Sequence, residues 1–368
     1  MQETVMGKYS ILDKVKPEVR SINSYTLREY DYEIKINQNE NPYDVPEQIK
    51  REILDFALER SWSRYPPFDP VELREELAAY TGWNPEGILA GNGSNEIIQC
   101  VLEIILYPGR KLILPSPTFT VYKLIGTVLG GTVQEVPLKS DLTFDCDAIE
   151  AEMADSGDVI ILCSPNNPTG CMYPQDRLVR LLEQNPGTVV IVDEAYYEFS
   201  KETVAGLLGT YENLIVFRTF SKAFSLAGLR VGYGLMNPAL AREVNKAKLP
   251  YNINFFSIAA AIKLLQNRDI LSGKIDELIA EREALYTAMN TINGVTVYPS
   301  RSNFMIFETP YDPEIIFREL LKDGLLVRNV SSYPMLSKAL RVSVSIPDDN
   351  RRFITSLVRI MGELETSE

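Results

Sequence analysis

Six short apolar runs, separated by helical patterns, constrain the fold of this chain more than any other feature. Several are rich in Val, Ile and Leu at successive positions, so both faces of each strand would be buried. Strands of this kind that alternate with helices are typical of an α/β fold with a largely parallel sheet covered on both faces. The runs are residues 110–114, 132–137, 158–163, 188–192, 214–217 and 231–235.

The length of 368 residues predicts a large domain and a smaller one, because one compact core of ordinary size rarely grows so large. A long helical pattern at 255–290 leads into strand patterns near 303–307 and 340–344, which favours a small α+β domain at the C-terminal end. We therefore predict an N-terminal arm (1–43), a large domain (44–265) and a small domain (266–368). The irregular arm is expected to pack against the rest of the chain or a partner subunit.

The net charge of −13, from 37 basic and 50 acidic residues, argues against nucleic acid or an anionic membrane as a partner. No run of apolar residues is long enough to span a bilayer, and the start lacks a secretory pattern. These features predict a cytoplasmic protein. The four cysteines have no C-x-x-C spacing and lie mostly in apolar stretches, where buried, reduced thiols are expected. They are Cys100, Cys146, Cys163 and Cys171.

The chain contains no histidine. This absence excludes a Ser-His-Asp or Cys-His mechanism, an imidazole base and histidine ligation of a metal. We expect no metal site. In an enzyme of this composition, proton transfer must depend on Lys, Tyr, Asp, Glu or a cofactor.

Polar residues cluster directly after the apolar runs, where α/β sheets bind their ligands. Lys222 follows the run 214–217 in the segment F-S-K-A-F. Burial beside apolar and cationic groups lowers the pKa of a lysine, and its neutral amine can then attack a carbonyl. Taken alone, Lys222 is more typical of an ordinary loop lysine.

A carboxylate follows the neighbouring run 188–192, at Asp193. A pyridoxal phosphate ring needs such a group to keep its pyridine nitrogen protonated, and Tyr196 would reach the ring hydroxyl. Asn167, in S-P-N-N-P-T-G after the run 158–163, could donate to the same ring oxygen. Considered alone, a helix-capping Asp with a core Tyr explains the first two residues equally well, and the segment of Asn167 is more typical of a simple turn.

An anion site is predicted at the glycine-rich turn 91–95, G-N-G-S-N, which precedes an apolar helical run at 97–106. Arg230, shortly after Lys222, would add a fixed charge for a phosphate, and Phe119 could stack on an aromatic ring. The alternatives are a plain turn, a surface ion pair and a core phenylalanine.

Taken in order, these segments resemble the fold type I pyridoxal-phosphate-dependent aminotransferases, and most closely the histidinol-phosphate aminotransferase family. The resemblance covers nearly the whole chain and implies a large domain with a mostly parallel, seven-stranded sheet covered by helices. It is carried by the motifs INQNENP (36–42), SRYP (63–66), GNGSNE (91–96), SPTF (116–119), SPNNPTG (164–170), VDEAYYEF (192–199), RTFSKAF (218–224), AGLRVGY (227–233) and LRVS (340–343).

The resemblance implies that Lys222 forms an imine with pyridoxal 5'-phosphate and that Tyr65 comes from the second subunit of a homodimer. It implies cofactor phosphate contacts from Ser94, Asn95, Ser221 and Arg230, ring contacts from Asp193, Asn167 and Tyr196, and stacking by Phe119. It also implies an anion clamp for the substrate from Arg341, Arg328 and Tyr25. Gln38 and Phe119 depart from the family, which usually has a small residue at the first position and often a Tyr at the second.

The implied reaction interconverts histidinol phosphate and 2-oxoglutarate with imidazole acetol phosphate and glutamate, within histidine biosynthesis. An aromatic-amino-acid aminotransferase and a threonine-phosphate decarboxylase share most of the cofactor motifs and stay open as alternatives, because a fold does not determine a substrate. A non-catalytic regulator of the same fold is disfavoured, because the acidic chain leaves no room for a DNA-binding domain.

Overall fold

The computed structural model describes residues 10–22, 28–153 and 159–366. Its strands are β1 (Ile34–Lys35), β2 (Ile88–Asn92), β3 (Lys111–Ser116), β4 (Thr132–Pro137), β5 (Val159–Cys163), β6 (Val189–Asp193), β7 (Leu214–Thr219), β8 (Val231–Leu235), β9 (Thr296–Val297), β10 (Phe304–Glu308), β11 (Leu325–Leu326), β12 (Arg328–Asn329) and β13 (Ala339–Ser343). Its α-helices are α1 (Pro17–Arg20), α2 (Glu47–Leu58), α3 (Val71–Thr81), α4 (Ser94–Ile105), α5 (Thr120–Leu129), α6 (Cys146–Glu152), α7 (Gln175–Gln184), α8 (Tyr197–Ser200), α9 (Pro238–Ala247), α10 (Phe255–Gln266), α11 (Arg268–Met289), α12 (Pro313–Lys322) and α13 (Pro347–Glu365). Short 3-10 turns lie at Ile11–Lys14, Pro85–Gly87, Ala205–Gly209 and Ala227–Leu229.

The main sheet has seven strands in the order β2-β8-β7-β6-β5-β3-β4. Strands β3 to β7 pair in parallel, whereas β8 pairs antiparallel with both β7 and β2. The sheet contains a strand in each of the six predicted runs, which confirms the mostly parallel α/β fold. It also contains β2, which none of the apolar runs predicted but which completes the seven strands that the resemblance implies.

Two hydrophobic cores lie on opposite faces of this sheet. Along β5, Ile160 and Leu162 belong to one core, while Ile161 and Cys163 belong to the other. Side chains of a strand alternate between the faces, so a strand that is apolar at every position must be covered twice. The uninterrupted Val and Ile runs therefore explain why helices pack on both faces.

A second sheet, β12-β13-β10-β9, is built from the C-terminal part of the chain and is antiparallel. The arm joins this part, because β1 pairs in parallel with β11. Further along the arm, the Ser343 N–H donates to the Ile36 carbonyl at 2.9 Å. The segment after β1 therefore runs between the two sheets, where it reaches the ends of the central strands.

The helical pattern at 255–290 is not one helix, because α10 ends at Gln266 and α11 begins at Arg268. Asn267 ends the first helix in a non-helical conformation, and its side chain bonds the Lys263 carbonyl at 2.8 Å. The predicted boundary between the large and small domains, at residues 265 and 266, stays a prediction.

None of the helices in the described residues combines the length and the apolar character that a membrane span requires.

Candidate active site

The arm and the carboxyl ends of the central strands enclose a cavity of about 420 Å³. Most of the predicted site residues line it: Ser94, Asn95, Phe119, Asn167, Asp193, Tyr196, Ser221, Lys222, Arg230, Arg328 and Arg341. Tyr65 does not, since it is 79% exposed and stacks on Tyr251 with ring centroids 4.4 Å apart. Tyr25 lies outside the described residues.

Lys222 lies in the turn after β7, with its Nζ inside the cavity. The amine donates to the Gln38 carbonyl at 2.8 Å. Burial, followed by the positive charges of Arg341 and Arg230, lowers its pKa to about 7. A substantial fraction of the amine is therefore neutral near physiological pH, as a nucleophilic lysine requires.

The turns that carry Lys222 and Asp193 are joined by a buried ion pair. Arg218, near the end of β7, donates from Nε to Glu194 at 2.9 Å, and both side chains are almost fully buried. The Glu194 N–H also donates to the Phe217 carbonyl at 2.8 Å. These contacts fix the relative position of the two turns.

Asp193 is a buried carboxylate at the end of β6. It accepts hydrogen bonds from the Tyr122 hydroxyl at 2.6 Å and from the Ala195 N–H at 3.0 Å. Burial raises its pKa to about 6, because among the described residues no cation pairs with it to offset the loss of water. The carboxylate therefore suits a ligand that brings its own positive charge.

Two amides surround the Tyr196 hydroxyl. It accepts from Asn39 Nδ2 at 3.1 Å and from Asn167 Nδ2 at 3.3 Å. The Tyr196 ring packs edge-on against Phe304 with centroids 5.1 Å apart. The hydroxyl is therefore held at the cavity wall by groups from the arm and the loop after β5.

The start of α4 forms a cradle for an anion. Its N-cap, Gly93, has φ +76° and supplies no side-chain cap, so the first N–H groups stay available. A Cβ on Gly93 would lie 2.7 Å from Arg230 Nη2, so glycine is needed for this close approach. Arg230 also donates to Ser221 Oγ at 3.1 Å.

Phe119 is the N-cap of α5 and contacts Tyr122 edge-on, with centroids 5.4 Å apart. Since Tyr122 bonds Asp193, the Phe119 ring lies on the same wall of the cavity as the carboxylate. In this position Phe119 can stack on the face of a flat ring whose edge meets the carboxylate.

Two arginines occupy opposite positions on neighbouring strands of the second sheet, because Arg328 in β12 pairs directly with Arg341 in β13. Arg341 donates to Asn167 Oδ1 at 2.6 Å and to the Asn37 carbonyl at 2.7 Å. Like charges directly opposite each other destabilise a sheet unless an anion lies between them. The pair therefore indicates a subsite for an anionic substrate.

The lining residues to which the sequence analysis gave no role include Asn37, Asn39, Tyr122 and Tyr333. The first two lie in the INQNENP motif, which carries part of the resemblance but does not by itself indicate a role for them. Gln38, in the same motif, contributes its carbonyl to Lys222 and its side chain to Lys35.

These residues fit pyridoxal 5'-phosphate. The buried Asp193 suits a protonated pyridine nitrogen, and the Tyr196 hydroxyl suits the ring oxygen. The uncapped start of α4, with Arg230 and Ser221 beside it, suits a phosphate. The lowered pKa of Lys222 suits the aldehyde.

A fold of this kind, with a reactive lysine and an anion cradle at the strand ends, is typical of a transaminase. The family model for aminotransferases of class I and II matches residues 32–357. The chain belongs to this family. The match confirms the resemblance drawn from the motifs and the assignment as a pyridoxal-phosphate-dependent transaminase, whereas the roles of individual residues stay predictions.

The curated relatives include the histidinol-phosphate aminotransferase of Chlorobium chlorochromatii, which is 36% identical over 97% of this chain and 99% of its own. That of Pelodictyon phaeoclathratiforme is 38% identical over 93% and 97%.

Solved structures share the fold. The histidinol-phosphate aminotransferase from Clostridium acetobutylicum has a TM-score of 0.84 and 23% identity, over 90% of this chain and 99% of that one. The enzyme from Sinorhizobium meliloti, in complex with pyridoxal-5'-phosphate, has a TM-score of 0.82 and 22% identity, over 95% and 97%.

Proposed function

We propose that this enzyme interconverts histidinol phosphate and 2-oxoglutarate with imidazole acetol phosphate and glutamate. In biosynthesis of histidine, the flow runs from imidazole acetol phosphate and glutamate. The observation that carries the proposal is the facing pair Arg328 and Arg341 in the cavity that contains Lys222. Both cations can bind a phosphate or a carboxylate, and the names of the full-length relatives favour the phosphorylated substrate.

Pyridoxal 5'-phosphate, when bound, supplies an aldehyde that takes up the amino group and a ring that draws electrons from the substrate Cα. Lys222 would hold the cofactor covalently until the substrate arrives. Its released amine, whose pKa is lowered by burial, would then accept the proton from Cα and deliver it to the cofactor carbon C4′.

The other lining residues would position these groups. Asp193 would keep the pyridine nitrogen protonated, Tyr196 and Asn167 would bind the ring oxygen, and Phe119 would stack on the ring. The cofactor phosphate would be bound by the start of α4 and the side chains around it: Ser94, Asn95, Ser221 and Arg230. Tyr25 is retained as a proposed substrate contact on the resemblance alone.

A substrate screen tests the proposal against its alternatives. The cofactor's absorbance changes in each half-reaction, so each amine can be assayed alone. We expect histidinol phosphate and glutamate to react fastest. A preference for phenylalanine or tyrosine would assign the enzyme to the aromatic aminotransferases, and release of CO₂ from threonine phosphate would assign it to the decarboxylases.

We expect Arg328→Ala to lower kcat/KM for histidinol phosphate by about tenfold or more, while affecting glutamate less. A contact between charged groups in a partly buried site is worth roughly 1.5–3 kcal/mol, and a phosphate dianion gains more from a second cation than a carboxylate does. The measurement is the kcat/KM of each half-reaction. Arg318→Ala, which removes an exposed arginine that pairs with Glu314, is the matched control. Small, equal losses for both substrates would show that Arg328 has only a structural role.

We also propose that the enzyme is a homodimer in the cytoplasm. A patch of exposed aromatic rings is formed by Tyr65, Phe68 and Tyr251. Exposed apolar surface of this kind is usually covered by a partner. In a symmetric dimer the patch would bring Tyr65 of each subunit to the cofactor phosphate of the other.

Mixing Tyr65→Phe and Lys222→Ala subunits tests this arrangement. Each variant alone should be nearly inactive, but a heterodimer would contain one intact site with Lys222 from one subunit and Tyr65 from the other. Random mixing of equal amounts should therefore restore about a quarter of the wild-type activity. Activity that persists in a monomer at high dilution, or no recovery on mixing, would contradict a shared site.

A further inference from the structure

Asn37 lies in the cavity wall, and its side chain takes part in no step described above. The residue is 5% exposed, and its Oδ1 is buried with no hydrogen-bond partner among the described residues. A buried amide without a partner is costly, so a group of this kind inside a ligand cavity indicates a contact that a ligand completes.

The backbone around Asn37 is held rigidly against β13. Its own carbonyl accepts from Arg341 Nη2 at 2.7 Å, and the Ile36 carbonyl accepts from the Ser343 N–H at 2.9 Å. Two residues later, the Asn39 N–H donates to Ser343 Oγ at 2.9 Å. The amide of Asn37 is therefore fixed beside the arginine that would bind the anionic end of the substrate.

The two anionic substrates differ in what they need from this subsite. A phosphate monoester presents three terminal oxygens in a tetrahedral arrangement, whereas a carboxylate presents two in a plane. Arg341 already donates to Asn167 and to the Asn37 carbonyl, so a third phosphate oxygen needs another donor. Rotation about the last side-chain bond can turn the NH₂ group of Asn37 toward an anion, because no partner holds its oxygen.

We propose that Asn37 is a specificity-determining residue that donates a hydrogen bond to the substrate phosphate and distinguishes it from a carboxylate. This inference rests on the proposed function, because that function supplies the phosphate. It predicts that Asn37 contributes to binding of phosphate monoesters and contributes little to binding of dicarboxylates.

Unreactive ligands separate the two anions in the cofactor-loaded enzyme. The probes are 3-(imidazol-4-yl)propyl phosphate, which has the carbon chain of histidinol phosphate without its amine, and glutarate, which has the carbon chain of glutamate. We expect Asn37→Ala to weaken the phosphate about tenfold by calorimetry and to change the glutarate affinity less than twofold. Asn37→Asp, which keeps the shape but adds a negative charge, should weaken the phosphate still further.

Ser302→Ala is the matched control, because Ser302 Oγ is also buried without a partner in the described structure but lies outside the cavity wall. It should leave both affinities unchanged. Equal weakening of both ligands by Asn37→Ala, or no weakening of either, would overturn the role of Asn37 while the proposed function stood. A wild-type enzyme that binds glutarate but not the phosphate would overturn both.

Discussion

Replacing Lys222 by alanine is expected to lower kcat at least about a thousandfold, because it removes both the covalent attachment of the cofactor and the group that moves the proton. The fold should persist, since within the described part of the chain the amine donates one hydrogen bond, to the Gln38 carbonyl. Single-turnover assays with histidinol phosphate and with glutamate would measure the loss.

The covalent role has its own readout. Borohydride reduction of the wild-type enzyme should fix the cofactor to Lys222, where peptide mapping would locate it. Lys248→Ala is the matched control, because burial also lowers the pKa of Lys248 and this lysine lines a different groove. Reduced cofactor on another lysine, or near-normal turnover in Lys222→Ala, would refute the assignment.

The central part of the main sheet was predictable from the sequence because strands such as β5 and β6 are buried on both faces and are therefore apolar at nearly every position. β2 was missed for a physical reason: its sequence, I-L-A-G-N, includes two small residues and a polar end. Gly91 has no room for a Cβ, which would lie 2.6 Å from Ile97, so packing against α4 rather than strand propensity determines this segment. Strand β1 has only two residues and depends on pairing with β11.

Most of the site could be predicted because each of its strand-end residues follows an apolar run in the sequence. The arm's contribution could not be derived in this way. Asn39 reaches Tyr196 across 157 positions and Ser343 across 304, so no local pattern indicates either contact. The Tyr122 hydroxyl on Asp193 is a similar case, because an apolar helix pattern predicts a core tyrosine and does not reveal its partner.

Asp193→Asn is expected to lower activity at least about a hundredfold while keeping the fold and some bound cofactor. A neutral amide cannot hold the pyridine nitrogen protonated, so the ring would draw electrons from the substrate Cα less effectively. The Ala195 N–H can still donate to the amide oxygen, and the amide NH₂ can donate to the Tyr122 hydroxyl, which reverses the hydrogen bond that Tyr122 now donates. The kcat of each half-reaction measures the loss, and near-normal turnover would rule out this role.

The same substitution should stabilise the protein once its cofactor has been removed. Burial raises the pKa of Asp193 from 3.8 to about 6, so the folded chain holds this proton more tightly than the unfolded chain. The proton on Asp193 therefore stabilises the folded chain fully below about pH 4, and this stabilisation is lost as the pH rises to about 6. Asparagine resembles the protonated form, so Asp193→Asn should gain up to about 3 kcal/mol at pH 7.5.

Urea unfolding of the two cofactor-free proteins measures this difference. The gain in unfolding free energy should be about half as large at pH 5 as at pH 7.5, because wild-type Asp193 is still mostly protonated in the folded state at the lower pH. Tyr122→Phe is a control that should lower the unfolding free energy instead of raising it, because it removes a hydrogen bond that favours the ionised carboxylate. A lower stability of Asp193→Asn at both pH values would show that burial of the ionised Asp193 carboxylate does not destabilise the cofactor-free protein.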